Sequence, residues 1–368
     1  MTERDYDAPI RVGIIGLGFA GETALKGFWR LPQVHVLALA GLENDRLASL
    51  GKAYEVPHLY HSYEELLACE GLDAVSIGVP NALHAPIALA ALERGLHVLC
   101  EKPLASTIED AERMVQAAHK ANRVLQVVFN HRERADVQLL KQYIDDGVLG
   151  RIYYAKAYWM RRKGIPGLGS WFVNKKLSGG GSLIDLGIHV LDIALYLLGE
   201  PLAVTVSAST YQELGSQGIG FNKAEQKYGT EHAFDVEDLA SAFIRLSDGA
   251  SLFLETSWAT HSGAQDDYGV ILYGTRGGAD IHVRNHTTEK TLTVYTNQAD
   301  VPVDIYPQTR GGEFHAGVTR RFIEQIRSGN WTGLHGTEAL RRSRIIDACY
   351  RSAIEKREVL IERDGSLL

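Results

Sequence analysis

An aspartate and a histidine four positions apart, Asp185 and His189, are the pair best suited to acid–base chemistry. They lie in the segment GGGSLIDLGIH, residues 179–189, whose helical pattern places both side chains on one face. A carboxylate that orients an imidazole makes the imidazole an effective general base. Two other interpretations stay open: Asp185 completes a capping box with Ser182, and His189 is a hydrogen-bonded core residue. A two-residue metal site is a further alternative, but no third ligand is apparent nearby and no metal is predicted.

Lys102 is the next candidate for chemistry. It belongs to the segment EKPLA, residues 101–105, directly after an apolar run that ends at Cys100. The carboxyl ends of parallel strands face the ligand crevice in open α/β sheets, and Pro103 restricts Lys102 to an extended backbone. From the sequence alone, a solvated surface lysine is an equally good interpretation.

A glycine-rich turn near the start of the chain, GLGFAG, is the candidate for binding phosphate groups. It follows an apolar strand pattern and opens a helical one, which is the context that a dinucleotide-binding turn requires. Its glycines permit a tight turn and let the backbone approach a pyrophosphate at the helix N-terminus. We therefore predict a dinucleotide site at Gly16, Gly18, Phe19, Ala20 and Gly21.

The choice between NAD and NADP stays open. A carboxylate for the ribose 2′-hydroxyl is expected at the end of the second strand, where this sequence has Gly41. Glu43 would favour NAD, whereas Arg46 would favour NADP by pairing with the 2′-phosphate. Each of the two is more often simply a solvated residue at the start of a helix.

Candidate substrate residues lie before and within a glycine-rich loop near the middle of the chain. Trp159 and Trp171 could stack on sugar rings, although core packing explains Trp159 equally well. Arg161 and Arg162 could bind a phosphate or a carboxylate, with a plain solvated role slightly favoured. Arg132 follows the last strand of the first domain and is expected to face the same crevice.

The elements that must position these residues show two patterns. Up to about residue 125, short apolar runs alternate with helical stretches, as in βαβ units around a parallel sheet. Beyond, strand patterns follow one another directly, which predicts a mostly antiparallel sheet. We therefore predict an α/β fold with a Rossmann dinucleotide-binding domain at residues 1–128 and an α+β substrate-binding and oligomerisation domain at residues 129–368. Strands are predicted at residues 10–16, 34–40, 74–79, 97–100, 124–129, 152–159, 203–209, 240–246, 251–258, 269–273 and 291–295.

The composition of the chain argues against several classes of partner and site. The chain has 368 residues, of which 45% are hydrophobic and 23% charged, so sizeable cores can form. A net charge of −7 argues against a nucleic-acid or anionic-membrane partner. Three scattered cysteines predict neither a disulfide framework nor a zinc site. The first apolar run is short and broken by glycine, so no signal peptide or membrane span is expected, and the cytoplasm is the expected location.

Taken together, the motifs resemble those of the Gfo/Idh/MocA family over nearly the whole chain. The resemblance rests on the GLGFAG turn, on Pro80-Asn81 with His84, and on the EKPLA and GGGSLIDLGIH segments. It implies that Lys102, Asp185 and His189 match the catalytic lysine, aspartate and histidine of the family.

The same resemblance implies further cofactor contacts. Pro80, Asn81, His84 and Glu101, together with Lys102, match positions that line the cofactor. Trp171 matches an aromatic residue near the nicotinamide end, and Phe172 stands where the family usually has arginine.

The function implied is that of an NAD(P)-dependent oxidoreductase of carbohydrate metabolism. It would transfer a hydride between a ring secondary alcohol of a sugar, glycoside or cyclitol and NAD or NADP. His189 would take the hydroxyl proton, Lys102 would stabilise the developing negative charge, and Asp185 would hold the hydroxyl and the imidazole in register. Two alternatives remain: a redox-neutral glycosidase that uses bound NAD transiently, and a non-catalytic cofactor-sensing regulator.

A homodimer or homotetramer built through the second sheet is also expected. An antiparallel sheet with helices on one face leaves its other face to be covered, and two-fold self-association is the commonest solution. We expect Leu252, Leu254 and Trp258, which alternate along one strand, to lie on that open face.

Overall fold

The computed structural model describes residues 8–221 and 234–361. The chain forms two compact units, the first made of the residues up to Asn130 and of His315–Leu340, the second of His131–Phe314 and the residues from Arg341 onward. Residues 315–340, which were predicted to belong to the second domain, lie in the first unit. The reason is a buried helical stripe, which packs into the core of that unit through Val318, Phe322, Ile323 and Ile326.

A six-stranded sheet forms the centre of the first unit, in the spatial order β3-β2-β1-β4-β5-β6. All of its neighbouring strands pair in parallel, which confirms the predicted Rossmann sheet. The strands are β1 Ile10–Ile15, β2 Val34–Ala40, β3 His58–Tyr60, β4 Ala74–Ile77, β5 His97–Cys100 and β6 Leu125–Val127. The helices between them are α1 Phe19–Trp29, α2 Asn44–Ala53, α3 Tyr63–Leu67, α4 His84–Glu93 and α5 Ile108–Ala121.

Local sequence explains where these helices begin and which face they bury. At the start of α5, the Thr107 side chain accepts a hydrogen bond from the Asp110 backbone N–H. At its end, Asn122 adopts the left-handed conformation, with a φ of 47°. Between these caps, the apolar positions three and four apart form the buried face of the helix: Ala111, Met114, Val115 and Ala118.

A nine-stranded sheet forms the second unit, in the order β14-β13-β12-β11-β7-β10-β9-β8-β15. Strands β7 and β10 pair in parallel, and the other neighbours for which pairing is resolved are antiparallel. This confirms the mostly antiparallel sheet. The strands are β7 Ile152–Arg161, β8 Ala203–Tyr211, β9 Leu239–Leu246, β10 Ser251–Ser257, β11 Asp266–Gly274, β12 Gly277–Arg284, β13 Leu292–Gln298, β14 Val301–Ile305 and β15 Val359–Leu360.

The helices of the second half include one unusual turn. Residues Leu183–Gly187 form a π-helix, here called the π-turn, which leads directly into the next α-helix. The α-helices are α6 Ala135–Asp145, α7 Lys175–Ser178, α8 Ile188–Leu198, α9 Phe314–Arg327 and α10 Thr337–Glu355. The stretch Lys175–Leu198 is long and apolar enough to cross a membrane, but most of it is buried inside the protein, as in a core helix.

One prediction about the second sheet is wrong. Leu252, Leu254 and Trp258 are fully buried within the single chain. They share their face of β10 with Thr256, whose methyl group lies next to Gly187 of the π-turn, so this is the helix-covered face. The open face instead presents the alternate residues, such as the partly exposed Phe253. An apolar alternation identifies a buried face but does not tell which of the two faces it is.

Candidate active site

The glycine turn has the geometry of a phosphate cradle. Gly16 has a φ of +85°, and a Cβ there would lie 2.4 Å from the Gly78 carbonyl oxygen. A Cβ on Gly21 would lie 1.7 Å from the Gly16 carbonyl oxygen, whereas Gly18 has open space around it. The outer glycines therefore permit the turn and its close packing, and Gly18 leaves the approach to the N-terminus of α1 free. Phe19 is largely exposed at that terminus.

Arg46 lies across this turn. Its Nη2 donates to Glu22 Oε2 at 2.7 Å, and its Nε donates to the Leu17 carbonyl oxygen. A Cβ on Gly41 would lie 2.6 Å from Leu17 Cδ1, so any side chain at position 41 must displace Leu17. The end of β2 is therefore occupied by an ion-paired arginine and a leucine.

Three loops of the first unit meet at the carboxyl edge of its sheet. Gly16 N–H donates to the carbonyl of Ala40, the last residue of the neighbouring strand. Gly78 and Glu101 N–H groups donate in the same way to Ile15 and Ile77, at 2.8 and 2.9 Å. The glycine turn and the EKPLA loop thus lie at one edge, as the parallel topology requires.

His84 connects two of these loops. It is buried, and its ring nitrogens lie 2.8 Å from the Pro103 carbonyl and 2.9 Å from the Val79 carbonyl. Burial lowers the pKa of His84 despite these carbonyls. The His84 side chain therefore supports the backbone next to Lys102. Asn81 is buried at the start of the helical segment that carries His84, and Pro80, directly before it, is partly exposed.

Glu101 and Lys102 are both partly buried at the end of β5. Burial raises the pKa of Glu101 to about 7, although the Lys102 charge and backbone N–H act in the opposite direction. An acid with this pKa can be neutral or ionised near neutral pH, and it lies directly beside the candidate catalytic lysine.

In the second unit, Asp185 lies on the π-turn and His189 in the first turn of α8. Trp258 Nε1 donates a hydrogen bond to Asp185 Oδ2 at 2.9 Å. The capping box between Asp185 and Ser182 is not formed, because Ser182 is itself helical and makes no side-chain cap. His189 is 9% exposed, and its ring lies 4.9 Å from that of His131.

Glu237 holds the turn that carries this pair. Its carboxylate accepts the N–H groups of Gly181 and Leu183, both at 2.9 Å, and the Tyr350 hydroxyl at 3.0 Å. Its backbone carbonyl accepts the Ser182 N–H. A Cβ on Gly181 would lie 1.9 Å from that carbonyl oxygen. The glycines of GGGSLIDLGIH therefore let the chain pass close to Glu237, which binds the N–H groups at the start of the helical segment.

Trp159 is a packed aromatic residue next to His189. It is 3% exposed, its ring lies 5.8 Å from that of His189, and it stacks on Tyr268 at 4.3 Å. Its Nε1 donates to Asp266 Oδ1 at 2.6 Å, and Arg161 Nε lies 3.1 Å from Asp266 Oδ2. Trp159 is therefore packed inside the second unit, and the polar groups beside it are Asp266 and Arg161.

Two other predicted substrate residues lie elsewhere in the second unit. Arg132 is buried and pairs with both carboxylate oxygens of Asp192, which also accepts from Arg342 Nε at 2.9 Å. This buried pair holds its guanidinium in place, and its role as a substrate residue stays a prediction. Arg162 has an exposed side chain.

Trp171 begins a short 3-10 helix and stacks on Phe172 at 3.8 Å between ring centroids. Phe172 thus occupies one side of the indole at the position where an arginine was expected.

Among residues 8–221 and 234–361, no group of three or more His, Cys, Asp or Glu side chains could hold a metal ion.

Sequence reasoning missed Trp258, Glu237, Tyr350 and Asp266. No local motif marks them, and they lie far along the chain from the residues that they contact. The one available signal was Trp258, a tryptophan at the end of a predicted strand, which the alternation pattern assigned to the wrong face.

Comparison with known proteins supports a dehydrogenase. An oxidoreductase family model with an NAD-binding Rossmann fold matches residues 10–129, and a GFO/IDH/MocA C-terminal domain model matches residues 137–280. The chain is 36% identical over 291 residues to D-glucoside 3-dehydrogenase of Escherichia coli K12, covering 78% of this chain and 82% of that protein. It is 32% identical over 309 residues to levoglucosan dehydrogenase of Pseudarthrobacter phenanthrenivorans, covering 79% and 78%. A solved levoglucosan dehydrogenase in complex with NADH and L-sorbose superposes with a TM-score of 0.84 at 25% identity, covering 97% of this chain and 100% of the other.

Proposed function

The chain belongs to the Gfo/Idh/MocA family of oxidoreductases, and from this premise we propose that it oxidises a ring hydroxyl of a glucoside. Membership makes it an NAD(P)-dependent enzyme that transfers a hydride between a sugar or polyol alcohol and a nicotinamide. The relative that is named for oxidation at position 3 of a D-glucoside supports the 3-hydroxyl as the first candidate.

The cofactor fits the glycine cradle. The space that is open at Gly18 and closed at Gly16 and Gly21 suits a pyrophosphate at the N-terminus of α1. When bound, the nicotinamide supplies the hydride acceptor. Glu101, Lys102, Pro80 and Asn81 are the residues that would line its other end.

The observation that carries the proposed mechanism is the fixed position of Asp185 one turn before His189. Trp258 holds one carboxylate oxygen of Asp185, and His131 and Trp159 enclose the imidazole of His189. In this arrangement, His189 takes the proton of the substrate hydroxyl as general base, and Asp185 orients the hydroxyl and the imidazole. Lys102 donates a hydrogen bond to the reacting oxygen and stabilises its negative charge.

The experiment is a panel of glucosides, free sugars and inositols with NAD and with NADP, followed by the absorbance of the reduced cofactor. Lys102→Ala and His189→Ala should each lower kcat by about 10²–10⁴-fold, far more than either substitution weakens cofactor binding. Near-normal turnover of either variant at neutral pH would contradict the mechanism. Release of a free sugar without net reduced cofactor would indicate the redox-neutral glycosidase instead.

Cofactor choice follows from the end of β2. Gly41 places no carboxylate against a 2′-phosphate, and Arg46 lies over the turn with its charge shared with Glu22. We expect both NAD and NADP to bind, with Kd values within about a hundredfold, or roughly 3 kcal/mol. Calorimetric titration with each cofactor tests this, and a preference above a thousandfold would show that another residue discriminates.

The proposed assembly is a homodimer or homotetramer through the open face of the nine-stranded sheet, and the proposed location is the cytoplasm. The open face carries aromatic side chains, including Tyr154 and Tyr273, which stack on each other at 5.7 Å, and the exposed Tyr295. Such a surface is typical of an interface. A monomer by light scattering at micromolar concentration would contradict this assembly.

A further inference from the structure

A compact group of charged residues lies beside the imidazole of His189 in the second unit. Arg161 at the end of β7 and Asp266 at the start of β11 are register partners across the two strands. Asp266 Oδ2 lies 3.1 Å from Arg161 Nε and 3.0 Å from His286 Nε2. Its other oxygen accepts the indole N–H of Trp159, whose ring lies 5.8 Å from that of His189. The group is therefore connected to the proposed general base through a single buried ring.

The charges within this group compensate each other. Burial alone would raise the pKa of Asp266, but the hydrogen bond from His286, the charge of Arg161 and the indole of Trp159 outweigh it and hold the pKa well below its usual range. Asp266 is therefore ionised at neutral pH, and its negative charge cancels the positive charge of Arg161. Both side chains keep about a fifth of their surface exposed, at 20% and 22%.

Such a group offers both donors and an acceptor to a ligand. Arg161 makes its closest contact with Asp266 through Nε, and a guanidinium has further N–H donors on its two terminal nitrogens. A carboxylate that accepts several hydrogen bonds still has lone-pair capacity for a hydroxyl donor. A sugar hydroxyl both donates and accepts, so it can use both partners. A phosphate only accepts, and it would meet the negative charge of Asp266 next to the arginine.

We propose that Arg161, Asp266 and His286 form a substrate subsite that binds uncharged hydroxyl groups and disfavours sugar phosphates. The assignment rests on the proposed function, since it places the substrate next to His189. It differs from both interpretations that the sequence left open for Arg161, a plain solvated side chain and a ligand for a phosphate or carboxylate of the substrate. The substrate class is then a neutral glycoside or free sugar.

The test is Asp266→Asn, which removes the charge and keeps an acceptor for the Trp159 indole. With methyl β-D-glucoside as substrate, we expect KM to rise at least tenfold while kcat changes less than threefold. We expect the inhibition constant of glucose 6-phosphate to fall at least tenfold, because the charge of Arg161 is no longer cancelled. The matched control is Asp267→Asn, which makes the same charge change at the next residue, where the carboxylate lies 3.9 Å from Arg284.

Binding measurements separate this inference from the proposed function. Calorimetric titration of the NADH-loaded enzyme with methyl β-D-glucoside and with glucose 6-phosphate needs no turnover. If Asp266→Asn and Asp267→Asn behave alike within threefold for both ligands, the subsite is refuted. If the wild type prefers glucose 6-phosphate, the subsite is refuted while hydride transfer stands. If the wild type binds the glucoside in preference and oxidises no sugar, the proposed function fails and the subsite stands.

A second variant keeps the test decisive should Asp266→Asn not fold. Arg161→Gln removes the donor charge and should raise KM for the glucoside at least tenfold without improving inhibition by glucose 6-phosphate. An unchanged KM in a folded Arg161→Gln protein would overturn the proposal.

Discussion

Trp258→Phe tests whether the proposed catalytic aspartate, Asp185, is held in place by a residue that directly follows a sheet strand. Trp258 is fully buried at the end of β10, and its Nε1 donates to Asp185 Oδ2 at 2.9 Å. Phenylalanine keeps an aromatic ring at the site but has no N–H. The substitution therefore removes the donor from Asp185 and leaves the carboxylate, the π-turn and His189 chemically unchanged.

The size of the effect follows from the kind of hydrogen bond that is lost. A hydrogen bond to a charged group contributes about 1.5–3 kcal/mol. If that energy orients Asp185 for the reaction, kcat should fall roughly tenfold to a hundredfold. The smaller ring also leaves a cavity, so we expect a loss of stability of about 1–3 kcal/mol. KM for the sugar and Kd for the cofactor should change little, because Trp258 does not act on binding of either in this mechanism.

A matched control separates orientation from packing. Trp331 in the first unit donates its Nε1 to the Ile326 carbonyl at 3.1 Å, so Trp331→Phe makes the same chemical change away from any proposed catalytic residue. Steady-state kinetics and thermal unfolding are measured on both variants. The reasoning is wrong if kcat of Trp258→Phe lies within threefold of kcat of Trp331→Phe, whatever their stabilities.

The remaining predictions concern the cradle, the buried charges and pH. Gly21→Ala should lower both Tm and cofactor affinity, because its Cβ would lie 1.7 Å from a carbonyl oxygen. Gly18→Ala, which has open space around it, should weaken cofactor binding and leave Tm unchanged. Thermal unfolding and calorimetric titration of both variants check this. Asp192→Asn should lower the free energy of unfolding in denaturant by about 3 kcal/mol, because Arg132 loses its buried carboxylate partner while Arg342 keeps its ion pair with Glu200. Burial raises the pKa of Glu101 from 4.5 to about 7, so the folded cofactor-free protein holds a proton that the unfolded chain has lost. The contribution of Glu101 to the free energy of unfolding is complete below pH 4.5 and decreases as the pH rises to about 7. Glu101→Gln should therefore abolish this decrease of Tm with pH.

Much of the fold could be predicted because its strands are apolar and regularly spaced. The bounds of β2 and β5 agree with the predicted residues 34–40 and 97–100. The strands that were missed lack that signal: β3 and β15 have three and two residues, and β14 is mostly exposed. Strand β12 begins with two glycines and carries Asp280 and His282 on one face, so neither its composition nor its alternation is typical of a strand.

The candidate site was predictable where it depends on contiguous residues. The geometry of the glycine turn follows from its own sequence, since close backbone contacts require glycine at Gly16 and Gly21 and the open space at Gly18 leaves the helix N-terminus accessible. Trp159 and Arg132 show the limit of this reasoning. Their types suit sugar stacking and anion binding, but the structure pairs them with Asp266 and Asp192, more than 50 residues away. No local sequence pattern predicts a hydrogen-bond partner that is so far away along the chain.

The π-turn shows why the chemistry of the second unit depends on distant residues. An α-helix places residues four apart on one face, and this was the argument for pairing Asp185 with His189. The structure has a π-helix at Asp185, where each turn contains an extra residue and local propensity contributes little. The turn is held by Glu237 at its start and by Trp258 at Asp185 itself. The orientation of the proposed acid–base pair therefore depends on residues that follow it by about 50 to 75 positions. The segment GGGSLIDLGIH alone would not orient Asp185 and His189 in this way without Glu237 and Trp258.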